Sequence, residues 1–167
     1  MPETHTNASP TIQEDLQQRK PFQSASHEAY LALVRTSGDS EERIVELLKA
    51  FDMTPQQYNV LRILRGAGEE GLPTLAVAER MVERTPGITR LINRMVRRKW
   101  VTRQRCTDDR RRIWCRITES GLELLLVLDE PVSRVTRLIG EALEPYEIYT
   151  LIGYLDRVRA RMNTPDG

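Results

Sequence analysis

The residues of this 167-residue chain best suited to chemistry lie between Thr107 and Gly121. There "TDDRRRIWCRITESG" sets Arg110, Arg111 and Arg112 directly after Asp108 and Asp109. Guanidinium groups are permanently charged forks whose geometry matches phosphate and carboxylate oxygens, so three in a row suit the binding of a polyanion. A short charge run is more often a solvated hairpin tip, and the choice depends on the elements around it. Acid–base catalysis has few candidates, since the two histidines are His5 and His27, and His5 stands in a polar N-terminal stretch. The sequence contains no glycine-rich phosphate loop, no Ser/His/Asp constellation and no Cys/His spacing of the zinc type. Two cysteines, Cys106 and Cys115, are too few for a disulfide framework. The expectation is therefore a protein without cofactor or metal, and not an enzyme.

Net charge is +1, but its distribution is uneven. From Glu79 to Arg116 there are thirteen Lys/Arg against four Asp/Glu, leaving twelve against twenty elsewhere. A basic stretch inside an otherwise acidic chain is the electrostatic footprint of a nucleic-acid contact. With 40% hydrophobic and 5% aromatic residues, the composition suits a mostly helical globular protein of this size. No run approaches the roughly 18 apolar residues of a membrane span, and "MPETHTNASP" lacks a signal layout. A cytoplasmic location with no membrane partner is expected.

The elements that must position the arginines follow from periodicity. Residues 1 to 19 are polar and aperiodic, which predicts a mobile N-terminal tail. Helical spacing from Pro21 to Thr36 ends at Ser37-Gly38-Asp39, and a second helix opens at Ser40. Thr54-Pro55 reads as cap and first helical residue, and the helix runs to the glycines at 66 and 68. "GEEGLPT" reads as a loop. Thr74 can cap the short helix "LAVAERM", and Thr85 can cap the next, with Pro86 first and Gly87 second. In that last helix Ile88, Leu91, Ile92 and Met95 share one face, while Pro86, Arg90, Asn93 and Arg97 point away.

Two short helices followed by "WVTRQRC" and "RRIWCRIT", β-prone runs around an Asp108-Asp109 turn, make a helix-turn-helix with a hairpin. On the second run Ile113, Cys115 and Ile117 alternate with Arg112, Trp114 and Arg116, giving an apolar and a basic face. The fold class expected is mainly α with a small β-hairpin wing, a winged helix-turn-helix flanked by N- and C-terminal helices. Such a fold reads duplex DNA, with the second helix in the major groove and the charged turn reaching along the duplex. A winged helix that binds protein is the alternative.

"MTPQQYNVLRIL", "TRLINRMVRRKWVTRQRCTDDRRRIWCRITESG" and the leucine-rich helices after them resemble the MarR family of bacterial transcriptional regulators over about residues 21 to 162. The family's wing pattern maps onto Asp109, Arg111, Ile117, Thr118 and Gly121, and its recognition-helix Thr-Arg onto Thr89-Arg90. Where the family often has Gly-Leu-Val after the recognition helix, this chain has Lys99-Trp100-Val101. The resemblance implies a homodimer on a palindromic operator, often released by a small phenolic or aromatic effector; the expected mode is repression, with an activator that takes no small-molecule ligand as the alternative. It divides the chain into N-terminal helices of a dimerisation region over 20–52, a DNA-binding domain over 53–118 and C-terminal dimerisation helices over 119–163. Within the DNA-binding domain the helix-turn-helix spans about 74–98 and the wing about 100–118.

In that frame Thr85, Pro86, Gly87, Thr89, Arg90 and Asn93 approach base edges, and Arg94, Arg97 and Arg98 meet phosphates. Arg111 is the minor-groove contact of the wing, oriented by Asp109. The last helix supports a dimer independently, because Ile148, Leu151, Leu155, Val158 and Met162 recur at heptad-like spacing. Core packing within one chain accounts for some of the leucines before it, in a helix that starts at Thr118 and that Pro131 is placed to bend. His27 and Tyr30 can line an effector pocket, though plain helix packing is the more usual role for either. Trp114 can stack on an arginine, and Cys115 reads as an inert core residue. The peroxide-sensing branch of the family carries a cysteine in its first helix; Phe22 to Thr36 has none, so thiol sensing is not expected.

Overall fold

The computed structural model describes residues 10–83, 86–105 and 113–164. It divides into two compact units, one ending at Arg43 and one beginning at Ile44.

The first unit holds α1 (Ile12–Asp15) and most of α2 (Ala25–Lys49). The α1 turn lies in the stretch read from sequence as an aperiodic tail. It exists because Thr11 and Glu14 close a reciprocal capping box, with the Thr11 amide donating to the Glu14 carboxylate at 2.7 Å. A second correction concerns α2, which is continuous where the sequence suggested a break at Ser37-Gly38-Asp39. A glycine inside a helix costs about 1 kcal/mol relative to alanine, too little to end 25 residues of favourable pattern. The Arg35–Asp39 pair, 3.4 Å apart at i,i+4, spans the weak point.

The second unit begins with the last turn of α2 and continues into α3 (Pro55–Ala67). Thr54 and Gln57 cap α3 reciprocally, at 3.3 Å for the Gln57 amide to Thr54 Oγ1 and 2.9 Å for the Thr54 amide to Gln57 Oε1. That explains why Gln57, a polar residue, is buried. The helix carries Val60, Leu61 and Leu64 fully into the core, where truncating a leucine costs about 2–5 kcal/mol.

After a 3₁₀ turn (Gly68–Glu70) the "GEEGLPT" stretch is not wholly loop: Leu72–Pro73 form a two-residue strand, β1. Leu72 pairs with Cys115 and Pro73 with Trp114. The approach is possible because Gly71 has no side chain; a Cβ there would lie 2.2 Å from the Cys115 carbonyl oxygen. Helix α4 (Thr74–Glu79) follows at once. Thr74 does not cap it, being its first residue. Its hydroxyl instead donates to the Ile113 carbonyl at 3.3 Å, tying α4 to the sheet.

Helix α5 (Ile88–Arg97) opens later than the sequence suggested. Gly87 is its cap residue, in the left-handed conformation at φ 83°, so Pro86 and Gly87 precede the helix. Strands β2 (Val101–Arg105) and β3 (Ile113–Ile117) pair antiparallel, giving the sheet order β1-β3-β2. Helix α6 (Glu119–Ala142) is helical on both sides of Pro131, and α7 (Pro145–Met162) completes the unit. Leu125, Leu128 and Val132 of α6 join the core. Among the described residues no helix is long and apolar enough to cross a membrane.

Candidate nucleic-acid interface

The sequence makes α5 two-faced and the fold uses both faces. Leu91, Ile92 and Met95 are buried, while Thr89, Arg90, Asn93, Arg94 and Arg97 are exposed, as are Pro86 and Gly87 before them. The outward row is polar and cationic along its whole length. Thr85, Asp109 and Arg111 lie outside the described residues, as do Cys106 and the other two arginines of the charged turn.

The C-terminus of α5 is joined to the wing by a compact set of bonds. The Lys99 amide donates to the Val96 carbonyl at 2.9 Å and the Trp100 amide to the Met95 carbonyl at 3.0 Å, the double closure of a Schellman motif. Lys99 sits at the position that usually takes glycine, with φ 61°. The Thr118 and Ser120 hydroxyls both donate to the Lys99 carbonyl, at 2.6 and 2.8 Å, and Thr118 Oγ1 accepts from the Gly121 amide at 3.1 Å. A Cβ at Gly121 would lie 2.5 Å from the Trp100 carbonyl oxygen. The Thr-x-x-Gly pattern is thus the clamp that holds both strand ends of the wing against the end of α5.

Arg98 departs from its expected setting. Its guanidinium stacks over the Trp100 ring at 4.4 Å and bonds both the carbonyl and the carboxylate of Asp52. This cation is held within the chain and half-buried, whereas Arg94 and Arg97 are exposed. Beside it a cleft of about 500 Å³ opens between the start of α3 and the second half of α5, lined by Thr54, Gln57, Arg94 and Arg97 among others. Arg116 is also occupied: its Nε donates to the Glu69 carbonyl at 2.9 Å and its Nη1 to Gln104 at 3.3 Å.

Arg103 has no place in the expectations from sequence. It lies on β2 at an inward register position, opposite buried Cys115, and its Nη1 donates to Asn93 Oδ1. The signal was present, since the alternation beginning at buried Val101 puts residue 103 on the covered face. Cys115 itself is buried, and burial pushes its thiol pKa up, against smaller lowering effects from the Thr74 hydroxyl and the Arg103 charge.

The other expected residues belong to α2 and α7. His27 is half-buried and edge-on to Phe22 at 6.0 Å, with Nδ1 enclosed and without a hydrogen-bond partner among the described residues. Tyr30 is exposed. Along α7, Leu151, Val158 and Met162 are exposed and Ile148 and Leu155 half-buried, so none of the five is fully buried. Among the described residues no His/Cys/Asp/Glu group could hold a metal.

An amphipathic helix presented by a short helix before it and braced by a hairpin after it defines a winged helix-turn-helix. Comparisons narrow the class. The profile of the MarR family matches residues 51–112. The MarR transcription factor from Planctomyces limnophilus is 38% identical, over 81% of this chain and 98% of that one, with a TM-score of 0.63. Sco3205, a MarR family regulator from Streptomyces coelicolor solved with DNA, superposes with a TM-score of 0.75 at 19% identity, over 89% of this chain and 94% of that one. The MepR–DNA complex of S. aureus gives 0.72 at 23%, over 79% and 97%. These last two speak to the fold alone. The chain belongs to the MarR family of DNA-binding transcriptional regulators.

Proposed function

We propose that this protein acts as a homodimer on a palindromic duplex-DNA operator, with α5 of each copy in the major groove and the wing over the adjacent minor groove. The observation that carries the reading is the outward row of α5, in which Thr89, Arg90 and Asn93 are exposed while Leu91, Ile92 and Met95 anchor the opposite face. Arg90 and Asn93 supply directional hydrogen bonds to base edges, and Thr85, Pro86, Gly87 and Thr89 allow close approach at the helix start. Arg94 and Arg97 line the cationic cleft, which supports reading them as contacts to phosphates; such contacts position a protein on the duplex without specifying sequence. Arg98 belongs with them by charge but acts through Asp52 and Trp100, bracing the end of α5.

Asp109 and Arg111 complete the site by their match to the family's wing pattern. The seam of Ile148, Leu151, Leu155, Val158 and Met162 supplies the dimer contact, since three of the five are exposed, none is fully buried, and two half-sites need two heads. Repression is the simplest mode, because a dimer clamped on an operator blocks a promoter without contacting polymerase. A small phenolic or aromatic effector is the ligand class that the family suggests, with His27 and Tyr30 as lining candidates.

Operator affinity measured against salt tests this reading. Arg94→Ala and Arg97→Ala should each lower the salt slope by roughly one counterion per half-site while leaving base preference alone. Binding that is insensitive to salt, or absent on any duplex, would favour a winged helix that docks on protein.

A further inference from the structure

We propose that Arg103 is a positioning residue that sets the base preference of the recognition helix, by holding Asn93 so that it reads guanine and not adenine; the inference rests on α5 being the major-groove element. Arg103 is seated by its surroundings. Its side chain is half-buried at an inward position of β2, its Nε is enclosed with no hydrogen-bond partner among the described residues, and its Nη1 donates to Asn93 Oδ1. The orientation of the carboxamide follows from chemistry, because a guanidinium has donors only and the group facing it must be the oxygen.

An unattached asparagine reads adenine with one donor and one acceptor, Nδ2 to N7 and N6 to Oδ1. A guanidinium on Oδ1 changes what Asn93 can offer. It fills one of the two acceptor positions on that oxygen and sets a positive charge beside the other, where the adenine amino group would have to donate. What remains open is the pair of Nδ2 hydrogens, with cationic charge behind them. Guanine presents two acceptors in the major groove, N7 and O6, and no donor there. The Arg103–Asn93 pair therefore suits guanine and penalises adenine at the base pair it faces.

The test is binding-site selection from random-sequence duplex DNA, with base frequencies read position by position for the unmodified protein, Asn93→Ala, Arg103→Met and Arg103→Lys. The base pair facing residue 93 is the one whose preference disappears in Asn93→Ala. There the unmodified protein should select guanine over adenine by about tenfold. Arg103→Met, which keeps the packed stem and removes every donor, should lower that ratio by about tenfold and leave other positions as they were. Arg103→Lys, which keeps a charge and a donor, should retain part of the guanine preference. A purely structural role would weaken all positions together. Circular dichroism checks each fold, and if Arg103→Met does not fold, Arg103→Gln must still lower the ratio. Adenine at this position in the unmodified protein, an unchanged ratio in the Arg103 variants, or no position lost in Asn93→Ala overturns the proposal while the operator stands. Failure of the unmodified protein to select any consensus overturns the base-reading role of α5 and this proposal with it.

Discussion

Arg65 holds Asp129 through a single nitrogen, Nη1 lying 3.0 Å from one carboxylate oxygen and 2.8 Å from the other, and so ties α3 to α6. The helix that supports the DNA-binding elements is thereby joined to the long helix leaving the wing. Both side chains are more than a third exposed, at 35% and 44%, so solvent screens the pair. Asp129→Asn should cost no more than about 1 kcal/mol in urea unfolding, and the difference should shrink at high salt. A larger, salt-independent loss would mean that the pair anchors packing and not charge.

Lys99 closes the C-terminus of α5 with φ 61°, in a conformation that disfavours a side chain. Lys99→Gly should stabilise the protein by about 0.5–1 kcal/mol, read as a higher urea midpoint with unchanged slope, since the gain is offset in part by a freer unfolded chain. A lower midpoint would show that the lysine side chain contributes more than its backbone costs.

Cys115 is expected to be silent toward thiol reagents near neutral pH, because burial raises its pKa and keeps the sulfur protonated and enclosed. In a Cys106→Ser background, labelling should begin only on unfolding. The linkage has a definite sign: with the folded pKa above the unfolded one, this group's stabilisation is fully present below the ordinary thiol pKa. It is lost as pH rises from there through the folded value. Urea midpoints measured upward from pH 8 should therefore fall more steeply than in Cys115→Ala.

Much of the DNA-binding region was legible in sequence because the signals there are local and agree. Thr54-Pro55 caps a helix in both, Leu91, Ile92 and Met95 are buried as their spacing requires, and Thr118 starts α6. Apart from the locally capped α1 turn and the unbroken α2, what escaped was set by tertiary partners. The Leu72–Pro73 strand has no pattern of its own and exists because β3 lies alongside it. Thr74, a good capping residue by type, is drawn to the Ile113 carbonyl. Arg98, Arg103 and Arg116 look alike as basic residues, yet Asp52, Asn93 and Glu69 give them three different tasks, and each partner lies outside the arginine's own element.

The seam on α7 yields a further expectation. Leu151→Asp with Leu155→Asp would place unpaired charge in the proposed dimer contact, so sedimentation at micromolar concentration should change from dimer to monomer, with tight operator binding lost. A monomeric unmodified protein that binds the operator as tightly would remove α7 from the account.

The most direct measurement is the affinity of Arg90→Ala for a selected operator and for a scrambled duplex of equal length and salt. Arg90 is exposed on the outward face of α5, and a guanidinium reading a base edge contributes about 1–3 kcal/mol of discrimination. The loss on the operator should therefore be about tenfold or more, with much less on the scrambled duplex. Equal losses on the two would mean that Arg90 meets only the backbone, and would contradict α5 as the element that reads sequence.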